Sequence, residues 1–162
     1  MDMNTLVLAH VRDTLGLERD QVFITGSRAI PGASTPESDY DIVVRVTEET
    51  YPVIRGQLWR LGHVQPFVLH KRKYEDGVDE MSTSCFYVES SVAGGTINIL
   101  LKREVQFAAW QYATNRLITE SLLDFRFDDR EYRVERFKDW RQAFAAGAWA
   151  SSRDDLKTGA LA

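Results

Sequence analysis

Apolar residues recur along this chain with two different periods, arranged in blocks. Over residues 3–16, Leu6, Val7, Val11 and Leu15 fall at helical spacing, and Gly16 is a natural stop. Gln21-Val22-Phe23-Ile24 is a short apolar run of strand type. Ile42-Val43-Val44 begins a second such run that reaches to about Val46, and Pro31, Gly32 and Pro36 mark a loop between the two. Thr47 reads as a helix N-cap, with Glu48 and Glu49 in the first turn, where the helix dipole favours acids. Val53, Ile54, Leu58 and Leu61 follow as one apolar stripe, and Gly62 closes that helix. Residues 64–70, with Phe67, Val68 and Leu69, read as a third strand. Residues 83–89 and 95–101 read as two more, joined by a hairpin loop around Ala93-Gly94-Gly95. From Lys102 on the period is helical. Val105, Ala108, Ala109, Tyr112 and Ala113 make one face, Leu117, Ile118, Leu122 and Leu123 extend it, and Trp110 belongs to the core. A last helix near 130–145 carries Val134, Phe137, Trp140 and Phe144 three or four residues apart. Its mixed-charge face, which includes Arg133, Arg136 and Arg141, is expected to be solvated.

Strand-length runs alternating with three or four helices predict an α/β (α+β) fold. The expected form is a mixed, mostly antiparallel sheet of about five strands with helices mainly on one side. A length of 162 residues suits one domain, assigned to 1–146. Residues 147–162 are small and polar, a C-terminal tail open to disorder. With 44% hydrophobic and 27% charged residues, composition is that of an ordinary globular protein. A net charge of −4 argues against tight nonspecific nucleic-acid binding. The lone Cys85 sits in an apolar run and is expected to be a small buried side chain, and no Cys/His cluster suggests zinc. The N-terminus lacks the form of a signal peptide and no apolar run reaches membrane-spanning length, so the expected compartment is the cytoplasm.

The chemistry concentrates around the loop. The first strand runs into Thr25-Gly26-Ser27-Arg28, and the second opens on Ser38-Asp39-Tyr40-Asp41. A strand ending in Gly-Ser lets a phosphate approach the backbone closely. Side chains alternate along a strand, so Asp39 and Asp41 point the same way. Two neighbouring carboxylates raise one another's pKa, a problem that a hard divalent cation removes. This order of apolar strand, Gly26-Ser27, spacer and Asp39-Tyr40-Asp41 resembles the nucleotidyltransferase superfamily, the DNA polymerase beta-like group. The fuller string Gly26-Ser27-Arg28-Ala29 with Thr35-Pro36-Glu37-Ser38-Asp39-Tyr40-Asp41 is similar to small bacteriophage-type members, which would place the protein in a host cytoplasm. The resemblance implies a nucleotidyltransferase-like sheet and Mg²⁺ or Mn²⁺ at Asp39 and Asp41. It also implies an NTP whose phosphates meet Gly26, Ser27, Arg28 and Ser38.

The superfamily takes a third carboxylate from a later strand, within an apolar–Asp–apolar pattern. Thr96-Ile97-Asn98-Ile99-Leu100-Leu101 matches that segment, and Asn98 stands where the acid belongs. An amide offers a carbonyl oxygen but neither charge nor a base. Glu89, Glu104 and Asp129 are candidate replacements that the sequence does not place. The leading expectation is transfer of a nucleoside monophosphate from an NTP to a hydroxyl of RNA, a protein side chain or a small molecule. The alternatives are a noncatalytic nucleotide-binding module, or a phage interaction protein with a degenerate site. The basic run Lys71-Arg72-Lys73 reads as a solvated strand end, with contact to a phosphate chain as its functional alternative.

Overall fold

The computed structural model describes residues 2–66, 84–90, 92 and 95–148. Five strands form one open sheet: β1 (Val22–Thr25), β2 (Tyr40–Val46), β3 (His63–Pro66), β4 (Ser84–Ser90) and β5 (Gly95–Arg103). Their spatial order is β1-β2-β5-β4-β3. Only β2 and β5 run parallel, and every other neighbouring pair is antiparallel. The α+β fold and mostly antiparallel sheet therefore stand as expected. Four α-helices accompany the sheet among the described residues: α1 (Met3–Leu15), α2 (Thr50–Arg55), α3 (Glu104–Ser121) and α4 (Arg130–Ala143).

The helices divide between the two faces of the sheet instead of lying mainly on one. The alternation of side chains explains this. Tyr40, Ile42, Val44 and Val46 on β2 join Ile97, Ile99 and Leu101 on β5, and all are buried beneath α1, Ile54 of α2 and the turn at Leu58–Leu61. The intervening residues face the opposite way. There Val43 packs with Phe107 and Trp110 of α3, supported by Phe23 and Leu100. A strand that is apolar on both faces needs a cover on each, and a helix stripe supplies only one.

Several boundaries differ from the sequence reading. The helix expected after Thr47 breaks: α2 ends at Arg55, and a separate 3₁₀ turn spans Leu58–Leu61. Gly56 falls at the break, where glycine costs a helix interior about 1 kcal/mol. α2 begins at Thr50 with Glu49 at its N-cap, so Glu48 and Glu49 precede the first turn instead of lying in it. Thr47 sits before the cap and meets Thr50 by reciprocal bonds, its N–H donating to Thr50 Oγ1 and its Oγ1 accepting from Thr50 N–H. Val53 is exposed rather than on the stripe. β5 continues through Lys102 to Arg103, because the parallel ladder with β2 extends to Val46↔Arg103. Glu104 then turns the corner into α3 with φ 32°. Leu122 and Leu123 lie beyond the end of α3 and are exposed. Arg141, expected on the solvated face, is fully buried with its guanidinium 5.9 Å from the Phe137 ring centroid. Charge pattern alone cannot report that α4 is covered on that side. Phe67 to Leu69 of the third strand, the Lys71-Arg72-Lys73 run, the turn at Glu75-Asp76-Gly77, Ala93-Gly94 and the tail from residue 149 lie outside the described residues.

Candidate functional site around the carboxylate pair

The motif loop is built by local bonds. β1 ends at Thr25, and a 3₁₀ turn over Gly26–Ala29 follows directly. Gly26 has φ 67°, and a Cβ there would run into Oδ2 of Asp41. Only glycine permits this approach, since the conformation and the contact both exclude a side chain. Thr25 lies opposite Asp41 in the ladder, and its Oγ1 accepts from Nε1 of Trp110 at 2.8 Å. The buried indole thus ties the end of β1 to α3.

Arg28 holds the loop together. Its Nε and Nη2 donate to the Ser38 carbonyl at 3.0 and 2.7 Å, and its guanidinium lies 3.8 Å over the Tyr40 ring. Ser38 closes a small turn by accepting the Thr35 N–H on its Oγ at 2.9 Å. Arg28 and Ser38, two of the four residues expected to meet phosphate, are therefore committed to the loop's own structure. Ser27 stands half-buried beside Gly26, and its carbonyl accepts from Ile30 N–H. Farther along, Ile30 packs with Leu117 of α3 and Phe127, which anchors the loop to the helical layer.

Asp39 is exposed just before β2, and Asp41 is half-buried on the face that points to α3. Asp41 sits opposite Asn98 in the parallel ladder, and Asn98 Nδ2 donates to its Oδ1 at 2.7 Å. Burial pushes the Asp41 carboxyl above its ordinary value, and the charge of Asp39 adds to that. The Asn98 hydrogen bond and the nearby charge of Arg130 oppose it. Arg130, at the start of α4, makes no hydrogen bond or ion pair among the described residues. Arg130 carries no signal in the sequence, because it is far from the motif in the chain and lies in a segment of mixed charge.

The structure thus brings Gly26, Asp39, Asp41 and Asn98 together, with Ser27 adjacent. Among the replacement acids, Glu104 lies at the far end of β5, and Asp129 caps α4 by accepting the Glu131 and Tyr132 N–H groups. Glu89 shares the face of Asn98, on the adjacent strand. The ladder makes the site one row of hydrogen-bonding side chains across all five strands: Thr25, Asp41, Asn98, Tyr87 and Gln65. The neighbouring row toward α3 is instead apolar, with Phe23, Val43, Leu100 and Cys85.

Among the described residues no three His, Cys, Asp or Glu side chains gather as a metal site. The two carboxylates on their own still suit Mg²⁺, which commonly takes one or two carboxylates and completes its shell with water and phosphate oxygens. An ion there would offset both the burial that raises the Asp41 carboxyl and the added charge of Asp39. An open cleft between α3 and α4, lined by Glu120, Asp124, Tyr132 and Arg136 among others, contains none of these residues. No helix among the described residues is long and apolar enough to cross a membrane. Comparison with protein families, curated proteins and solved structures gives no match.

Proposed function

We propose that this protein binds a nucleoside triphosphate together with Mg²⁺ or Mn²⁺ and transfers the nucleoside monophosphate to a hydroxyl acceptor. The observation that carries this reading is the close approach of Gly26 to Asp41 on a sheet that also aligns Asn98 with Asp41. A loop needs a side-chain-free residue against a carboxylate when a bulky anion and its cation must share that corner. Asp39 and Asp41 hold the ion, which supplies neutralisation of the phosphate charge. Gly26 and Ser27 face the phosphate chain, and Arg28 with Ser38 keeps the loop in shape rather than touching the ligand. Arg130 takes the part of the free cation near the carboxylates. The acceptor class is RNA, a protein side chain or a small molecule.

A second reading, nucleotide binding without transfer, is favoured by Asn98. It donates to Asp41 and brings neither charge nor base. Calorimetry with ATP, GTP, CTP and UTP separates these readings from a protein with no nucleotide site. Heat is expected only with Mg²⁺ or Mn²⁺, and Asp39→Ala with Asp41→Ala should remove it while circular dichroism stays native. Unchanged affinity in that double variant would show that the carboxylates are not the site.

A further inference from the structure

We infer that Glu89 is the general base that the third position lacks, set across Asn98 from the carboxylate pair so that an acceptor hydroxyl lies between them. The inference rests on the nucleotidyl-transfer reading above. Tyr87 pairs with Asn98 and Glu89 with Thr96, so Glu89 sits one step along β4 from Asn98's partner. Its face is fixed by alternation: Phe86 and Val88 join the core beneath α1, which turns Cys85, Tyr87 and Glu89 toward the Asp41 side. Extending the β2–β5 ladder by one residue from Tyr40↔Ile97 brings Asp39 level with Thr96, and Thr96 is level with Glu89. Asp39 and Glu89 therefore stand on one row, two strand spacings apart, roughly 10 Å. Thr96, a short side chain on the same face, stands between them in that row, and the space above it suits one small polar group.

The backbone at Glu89 is held firmly. Gly62, with φ 152°, packs so closely on it that a Cβ would strike the Glu89 carbonyl oxygen. From β3, Gln65 Nε2 donates to Glu89 Oε1 at 3.3 Å. Oε2 makes no hydrogen bond among the described residues and is open to accept a proton. Asn98 supplies a second, independent sign of a ligand. Its Nδ2 is given to Asp41, so Oδ1 turns away from Asp41, and that atom is buried without a hydrogen-bond partner. The opposite amide orientation would set Oδ1 against the Asp41 carboxylate. A buried acceptor of this kind is costly unless a donor arrives, and a hydroxyl is such a donor. The other two acids do not compete. Glu104 opens α3 just past the end of β5, six residues beyond Asn98 and roughly 20 Å away at about 3.3 Å per residue. Asp129 has one oxygen occupied by two backbone N–H groups.

In the transfer step the acceptor oxygen attacks the α-phosphorus, and the new O–P bond forms as the bond from Pα to the bridging oxygen of the β-phosphate breaks. Pyrophosphate leaves with that electron pair, and the acceptor proton passes to Glu89 Oε2. The experiment uses full-length protein, α-³²P-labelled NTPs and Mn²⁺, with bulk cellular RNA or the protein itself as acceptor, and compares the wild type with Glu89→Gln, Glu104→Gln and Asp129→Asn. Glu89→Gln should lower transfer by about 10²–10⁴-fold and flatten its rise with pH, while calorimetric NTP affinity stays unchanged. Glu104→Gln and Asp129→Asn should transfer like the wild type. Wild-type transfer by Glu89→Gln overturns the assignment. NTP binding with no transfer by the wild type also overturns it while leaving the nucleotide site intact. Absence of NTP binding in the wild type overturns the proposed function itself.

Discussion

The two faces of this sheet use the same strands for opposite ends. On the α1 face, Ile42, Val44, Ile97, Ile99 and Leu101 are completely buried, and the apolar rows run the length of the strands. On the α3 face the apolar row at Phe23, Val43, Leu100 and Cys85 gives way to Thr25, Asp41, Asn98, Tyr87 and Gln65. Two residues along a strand separate a packed core from a polar platform. The first face secures stability by apolar burial. The second gives up part of that burial, and the raised Asp41 carboxyl and the partnerless Asn98 Oδ1 are the visible costs. The proposed nucleotide site rests on these polar groups half-buried at a loss.

The comparison breaks first where burial is deepest. Ile99→Ala should cost about 2–5 kcal/mol, because the side chain is fully enclosed and the cavity cannot collapse within a β-ladder. Urea denaturation gives the value, and a loss below about 1 kcal/mol would mean that the α1 face is not the principal core.

Asn98→Asp sharpens the contrast on the other face. Its new carboxylate meets Asp41, which burial and Asp39 already push upward. The ligand-free variant should lose about 1–3 kcal/mol at pH 8. The sign follows from proton binding. A carboxyl whose pKa is raised on folding holds its proton longer than in the unfolded chain, so stability is retained at low pH and falls as pH rises through the folded-state pKa. Thermal melts at pH 5 and pH 8 should diverge more in the variant than in the wild type, and Mn²⁺ should restore the pH 8 melt. A variant insensitive to Mn²⁺ would place Asn98 outside any metal site.

Trp110→Phe keeps most of the aromatic packing on Phe23 and Phe107 but removes the donor to Thr25 Oγ1. About 1 kcal/mol of stability should go, with weaker Mg²⁺-dependent NTP binding because the Gly26 turn begins at Thr25. Equal NTP affinity in calorimetry would show that the turn does not depend on this bond.

The smallest effect belongs to the α3–α4 connection. Phe125 is 97% exposed, and Phe125→Ser should change the urea midpoint by no more than about 0.5 kcal/mol equivalent. A larger loss would mean that this side chain is covered in solution.

Much of the fold was legible because its signals are local. The helical stripe at Val7, Val11 and Leu15, the strand runs at Val22, Ile42 and Ile97 and the break at Gly62 each depend on a few neighbouring residues, though Leu6, expected with that stripe, is exposed. Trp110 and Cys85 were readable as core from their apolar surroundings, and both are buried. The same-face placement of Asp39 and Asp41 follows from strand alternation alone. The alignment of Asn98 with Asp41 was expected from the resemblance to a known superfamily, and the ladder puts the two side chains in contact. What the chain order could not state was which side of the sheet each helix takes, since an apolar stripe names a buried face and not the strand face that buries it. Arg28 looked free for a phosphate, yet it is folded back on Ser38 and Tyr40, and Arg141 looked solvated, yet it is enclosed. Charge is visible in a sequence, but the partner that neutralises or buries it is not. Glu89, Glu104 and Asp129 were equivalent as letters, and only strand register separates the one acid beside Asn98 from the one at the far end of β5 and the one capping a helix. Register arises from pairing between segments distant in the chain, so it is decided by the assembled sheet and not by any stretch of sequence within it.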